Sequence, residues 1–153
     1  DVCSSDLTSN SNKISFSKDG GDTTTIDTWL MAAARTSTEA PTITVSGASV
    51  QGDKATLKKV TGGWDGDHGG VIVPIKPIVQ KLALFVLAYD DGDKLSFGLY
   101  LPETDFTFDT IDLTGDEFAE FSFNAVVKST DALKKGPNGE TGGYALFSPE
   151  DFK

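Results

Sequence analysis

Short stretches of apolar–polar alternation, separated by clusters of Gly and Asp, recur along most of this chain. Alternation with period two marks strands that bury one face. Residues 13–18 alternate and stop at Asp19-Gly20-Gly21-Asp22, which predicts a half-buried strand and a turn. Thr42-Ile43-Thr44-Val45-Ser46 predicts a second strand. Residues 23–38 carry mixed signals, because Met31-Ala32-Ala33-Ala34 favours helix while the surrounding threonines favour extended chain. The expectation there is a loop or irregular edge strand anchored by Trp29.

One segment reads as helix. In residues 53–60, Asp53 stands where a cap belongs, Leu57 and Val60 fall three apart on one face, and Gly62-Gly63 ends the pattern. A Gly-rich loop over 62–70 follows, then an extended piece over 71–75 whose proline suggests an edge position. The apolar run 82–89 reads as a buried strand. Residues 81–89 and 94–101 flank Asp90-Asp91-Gly92-Asp93, which is hairpin chemistry, and Leu95, Phe97, Leu99 and Leu101 share one face of the return strand. Residues 105–113 predict the next strand, then Thr114-Gly115-Asp116 a turn into the strand 118–128. A long loop over 129–143 and a last strand over 144–147 complete the pattern. The expected fold is mainly β, an antiparallel sandwich or small barrel with one short flanking helix.

Charge and composition narrow the function classes. The 153 residues carry 13 Lys and Arg against 23 Asp and Glu, a formal charge of −10. Arg35 is the one arginine, so a basic phosphate-neutralising patch is excluded. A single cysteine forbids an internal disulfide, and a single histidine leaves no multi-histidine metal site. Residues 1–7, Asp-Val-Cys-Ser-Ser-Asp-Leu, back-translate to the end of a common sequencing adapter. The expected organisation is therefore a scar and disordered start over 1–12 and one β domain over 13–153, with part of the native N-terminus lying beyond the sequence. Without Asp1 and Asp6 the charge of −10 becomes −8, so the acidity survives. The apolar stretch from Val71 to Tyr89 is broken by Pro74, Lys76, Pro77, Gln80 and Lys81, too early for the roughly 20 residues that span a bilayer.

Candidate chemistry is sparse. Asp65, Asp67 and His68 lie in the loop 64–70, yet Gly69 occupies the third ligand slot of a calcium loop and Lys76 the place of its glutamate, so a solvated loop fits better. No serine sits in a nucleophile elbow, and a nucleophile–base pair would have to rely on His68. The run Gly136-Pro137-Asn138-Gly139-Glu140-Thr141-Gly142-Gly143 lacks the Gly-Lys-Ser/Thr ending of a phosphate loop. These readings expect no enzyme, no cofactor and no metal, although paired carboxylates among so many acids leave an acid-based hydrolase open. More informative is alternation itself: Asp105, Thr107 and Asp109 face one way, as do Glu120, Ser122 and Asn124. Together they predict a polar, negatively biased sheet surface, or simply an ordinary wet face.

The order of segments resembles the major tail tube protein of long, non-contractile-tailed bacteriophages. The resembling parts are Ile14-Ser15-Phe16-Ser17-Lys18-Asp19, Ile26-Asp27-Thr28-Trp29 leading to Ala34-Arg35-Thr36, the strand 42–46, the helix 53–60 with Gly62-Gly63, the hairpin end Tyr100-Leu101-Pro102, and residues 118–127 leading to Tyr144-Ala145-Leu146-Phe147. The resemblance covers residues 13–153. It implies a tail-tube β-sandwich or barrel, similar also to the tube protein of type VI secretion systems. It further implies homohexameric rings stacked around a tape-measure protein, closed by a tail terminator, and located in the virion tail after assembly in the host cytoplasm. DNA would pass through without specific binding, repelled by lumen-facing acids, for which Asp105, Asp109 and Glu120 are the candidates. No membrane is implied. The alternatives are another β-sandwich virion module, such as a capsid decoration or carbohydrate-binding domain.

Overall fold

The computed structural model describes residues 14–28, 31–50, 52–89, 95–113 and 119–152; of residues 26–28, 31–36 and 95 the backbone alone is described. The adapter-like start, Trp29 and the turns expected at 90–93 and 114–116 lie outside the described residues.

Among the described residues ten strands and one α-helix follow in the order β1 (Ser15–Asp19), β2 (Thr23–Thr28), β3 (Met31–Thr38), β4 (Thr42–Ser49), α1 (Lys54–Thr61), β5 (Trp64–Asp65), β6 (Val71–Ile72), β7 (Gln80–Tyr89), β8 (Leu95–Asp112), β9 (Glu120–Val127) and β10 (Ala145–Phe147), with a 3-10 helix at Pro149–Phe152. The protein is mainly β with a single short α-helix among the described residues, as the alternation predicts. One antiparallel six-stranded sheet dominates, ordered β1-β4-β9-β8, with β7 and β10 also paired to β8. Because β7 and β9 both pair with residues 104–106 of β8, they occupy its opposite edges. β10 pairs with residues 98–100 on the same side as β9.

β8 is one strand of 18 residues rather than the two expected over 94–101 and 105–113. Proline supplies no N–H and interrupts an ordinary ladder. Here Pro102 sits at a bulge: Leu82 pairs with Thr104 and Leu84 with Leu101, so Ala83 opposes both Pro102 and Glu103. The strand bends there and continues. Thr104 beside the bulge is fully buried, and its hydroxyl donates to the Leu82 carbonyl at 2.8 Å, leaving no polar orphan.

Directly opposed residues share a face, so the register sorts the sheet into two. Val45, Ala125 and Phe106 lie in one row of the core face, with Leu99 and Leu101 further along β8. Val60 of α1 joins this buried cluster. The helix forms as its sequence signals predict. Asp53 accepts from the Thr56 N–H at 3.1 Å, a cap worth about 1 kcal/mol. Gly62 closes the helix at φ 67, where a side chain would be strained.

Four expectations need correction. Residues 23–38 form no loop but two paired strands, β2 and β3, in a separate two-stranded sheet whose register slips between Ile26 and Thr28, so the irregular edge strand holds and the loop does not, because threonine-rich alternation outweighed the alanines. β1 is exposed along its whole length, not half-buried, since it is the outermost strand. The run 82–89 is not buried on both faces: Leu82, Leu84 and Val86 pack against the core while Phe85, Leu87 and Tyr89 are exposed. Among the described residues β7 has only β8 beside it and is covered from one side. Finally, the glycine loop contains a small hairpin, in which Trp64 pairs with Ile72 and Asp65 with Val71, and the extended piece ends at Ile72 instead of 75.

Candidate functional site

The face of the main sheet turned away from α1, here called the open face, carries the residues the acidic alternation singled out. Ser15 of β1 opposes Ser46 of β4, Ser46 opposes Asn124 of β9, and Asn124 opposes Thr107 of β8. Four strands thus contribute a continuous row of small hydroxyl and amide side chains. The next row runs Ser17, Thr44, Val126, Asp105 and Lys81. A shallow groove of about 350 Å³ opens along the first row, lined by Ser15, Ser46, Asp109, Ser122 and Asn124 with Gly47 and Phe123. Such a surface offers weak, interchangeable hydrogen bonds.

The three candidate acids differ in their surroundings. Asp109 is exposed and lines the groove on the face that alternation from Asp105 and Thr107 gives it, within a second bulge where the β8–β9 register slips between Phe108 and Ile111. Asp105 is half-buried, and Lys128 holds it in an ion pair of 3.0 Å. Glu120 is only 7% exposed and stands opposite Asp112. The structure therefore brings Asp109, Ser122 and Asn124 together, matches Asp105 with a cation, and recesses Glu120. Ser15 and Ser46 were missed by the sequence reading. Their signal was present in the alternation of residues 13–18 and 42–46, but only the pairing β1-β4-β9 shows that these serines extend the same row.

The other end of the open face has different chemistry. Leu87 opposes Gly98, Phe85 opposes Tyr100, and Phe147 opposes Gly98 from the other side. Phe85 meets the rings of Tyr100, Phe147 and Phe152 at centroid distances of 6.0, 6.1 and 6.3 Å. The 3-10 helix lays Phe152 over Gly98, where a Cβ would come within 2.7 Å of the ring. Asp151 fixes that helix by accepting from the Ser148 N–H at 2.7 Å and its hydroxyl at 2.9 Å, which lowers its pKa below the usual aspartate value.

The remaining candidates resolve into structural roles. Asp65 bonds Lys54 at 2.8 Å and Lys58 at 2.7 Å, clamping the β5–β6 hairpin to α1. These two ammonium groups draw its pKa from 3.8 to about 2. Asp67 and His68 are exposed in the hairpin loop. Among the described residues no group of three or more His, Cys, Asp or Glu side chains is placed to hold a metal ion. Glu140 closes its own glycine-rich turn, accepting from the Asn138 amide side chain at 2.9 Å and the Asn138 N–H at 3.0 Å, and its pKa is lowered in consequence. Among the described residues no helix is long and apolar enough to cross a membrane.

No curated protein matches the chain. The family model described as phage tail tube protein matches residues 5–135, from before β1 to the loop after β9. With that match over most of its length, and a mainly β fold with one short helix, the chain belongs to the phage tail tube protein family.

Proposed function

We propose that the chain is the repeating subunit of the tube itself: it closes into homohexameric rings, the rings stack, and DNA is ejected through the bore. The family match is the observation that carries this reading. The open sheet supports it physically. Among the described residues β1 leaves one edge unpaired, and β8 extends past β7 so that residues 107–112 have no strand partner on that side. Unpaired edges invite aggregation unless another strand covers them. β1 runs antiparallel to β4, β4 to β9 and β9 to β8, so β1 of a neighbouring copy would meet the free part of β8 in antiparallel sense. A closed ring would cover β1 and the free part of β8 at once, leaving β7 with its own outer edge.

In this reading the polar half of the open face lines the bore. Asp105, Asp109 and Glu120 stay as proposed lumen-facing acids of unequal weight. Asp109 brings exposed charge, Asp105 is offset by Lys128, and Glu120 contributes only as far as its recess allows. Repulsion of phosphates reaches about 8 Å at physiological salt, so a negative lining keeps a duplex from settling on the wall. Hydroxyl and amide groups between the acids exchange readily with water. The tape measure and tail terminator are the proposed partners at assembly in the host cytoplasm, and catalysis has no part in the function. The test is electron microscopy and sedimentation of the purified protein, alone and with the other tail components. Hollow tubes of uniform width are expected; a protein that stays monomeric in both settings overturns the reading.

A further inference from the structure

Large apolar side chains are exposed at two places that lie at opposite ends of β7. Ahead of the strand, residues 72–79 form a strap in which Ile72, Val73, Ile75, Ile78 and Val79 are all exposed, Ile75 completely. Pro74 and Pro77 remove two N–H donors from this strap, so it presents side chains rather than a ladder edge. Gln80 at its end is pinned to α1 through the Lys59 carbonyl at 2.7 Å, which gives the strap a fixed base. At the far end, Phe85, Leu87 and Tyr89 project from the open face, Tyr89 being 60% exposed. At about 3.3 Å per residue, the strap's last residue, Val79, and the nearest residue of the patch, Phe85, stand roughly 20 Å apart along β7.

Charge distinguishes the two ends. From Val71 to Tyr89 the sequence contains no Asp or Glu, and the strap carries Lys76. Beside the far patch, the 3-10 helix that sets Phe152 against Phe85 carries Glu150 and Asp151, both exposed, so that end is acidic. One end is apolar and basic, the other apolar and acidic.

We propose that the strap of one copy docks on the Phe85–Leu87–Tyr89 patch of a second copy, joining the two ends of β7 in a head-to-tail contact. This rests on the reading of the chain as a self-assembling subunit and names the surfaces that join. Complementary patches on different parts of one chain make a heterologous contact, which propagates into a ring or a filament instead of ending at a pair. An apolar centre with a lysine facing carboxylates also matches the anatomy of specific interfaces, and the charges set its polarity.

The experiment uses Ile75→Asp and Tyr89→Asp in the whole chain, read by sedimentation velocity and negative-stain microscopy, with circular dichroism to check folding. Both side chains are exposed, so folding is expected to survive. Each variant alone should self-associate about tenfold more weakly or worse than the parent, because a charge is forced into the contact centre. Mixed together they should give terminated pairs: the intact strap of Tyr89→Asp fits the intact patch of Ile75→Asp, and both remaining ends are blocked. Lys76→Glu should weaken assembly most at low salt. If the parent assembles and both aspartate variants assemble equally well, the docking proposal falls while the tube reading stands. If only Ile75→Asp interferes, the strap meets some other surface and the head-to-tail pairing is wrong. If the parent never self-associates, the tube reading fails and takes the proposal with it.

Discussion

The open face of the main sheet divides into two regions that share one strand. On β1, β4, β9 and the second half of β8 it presents Ser15, Ser46, Asn124 and Thr107, whereas on β7, β10 and the first half of β8 it presents Phe85, Leu87, Tyr100 and Phe147. The change occurs across the Pro102–Glu103 bulge. A sheet that only needed to be wet on one side would have no use for the aromatic region, and one that only needed to stick would have no use for the serine row. The difference teaches a division of labour: the polar region suits a surface past which something must slide, and the aromatic region suits one that must be held.

Both regions stand on the same core, so the largest effect is one that cannot tell them apart. Leu101→Ala removes a fully buried side chain beneath the bulge and should cost about 2–5 kcal/mol, measured by urea unfolding. Loss of the aromatic region alone, with the polar region intact, would mean that the two fold separately. Next in size is Gly98→Ala. Its new methyl group meets the Phe152 ring, so the 3-10 helix should lift away at a cost of about 1–3 kcal/mol. Hydrogen exchange should then rise over residues 145–152 and stay unchanged over 120–127.

Asp109→Lys addresses the polar region and should leave stability within about 0.5 kcal/mol, because the position is exposed. Tubes should still form but release DNA more slowly, a defect that Asp105→Lys with Asp109→Lys should deepen. Ejection at the parental rate from both variants would remove these residues from the lumen. Smallest is the pH response. The depressed pKa of Asp65 means that its clamp is fully present above about pH 4 and is lost as pH falls through about 2. Asp151 and Glu140 are lowered too, so their contributions fade in the same direction. Acid titration followed by NMR should therefore disturb the β5–β6 hairpin, the 136–140 turn and the C-terminal helix.

Much of this was legible in the sequence for physical reasons that can be named. Alternation exposed β4, β8 and β9 because each buries one face, and the α1 boundaries followed from Asp53 and Gly62, whose roles are local. What alternation could not show was non-local. Whether 82–89 was covered on one face or two depended on what packed over it, and β7 turned out to be an edge. Pro102 reads as a break until a neighbouring strand supplies a bulge to hold it. The same limit governed the site: Asp105, Asp109 and Glu120 looked equivalent by spacing, yet the Lys128 ion pair, the exposure of Asp109 and the burial of Glu120 set them apart. Ser15 and Ser46 joined only through strand pairing.

The most direct test of the central claim is a cryo-electron microscopy reconstruction of the assembled tube at side-chain detail. The account predicts Ser15, Ser46, Asn124 and Thr107 on the wall of the bore with Asp109 beside them, and the Phe85–Leu87–Tyr89 patch buried against a neighbouring copy. A reconstruction with the serine row on the outer wall, or with that aromatic patch facing the bore, would contradict it.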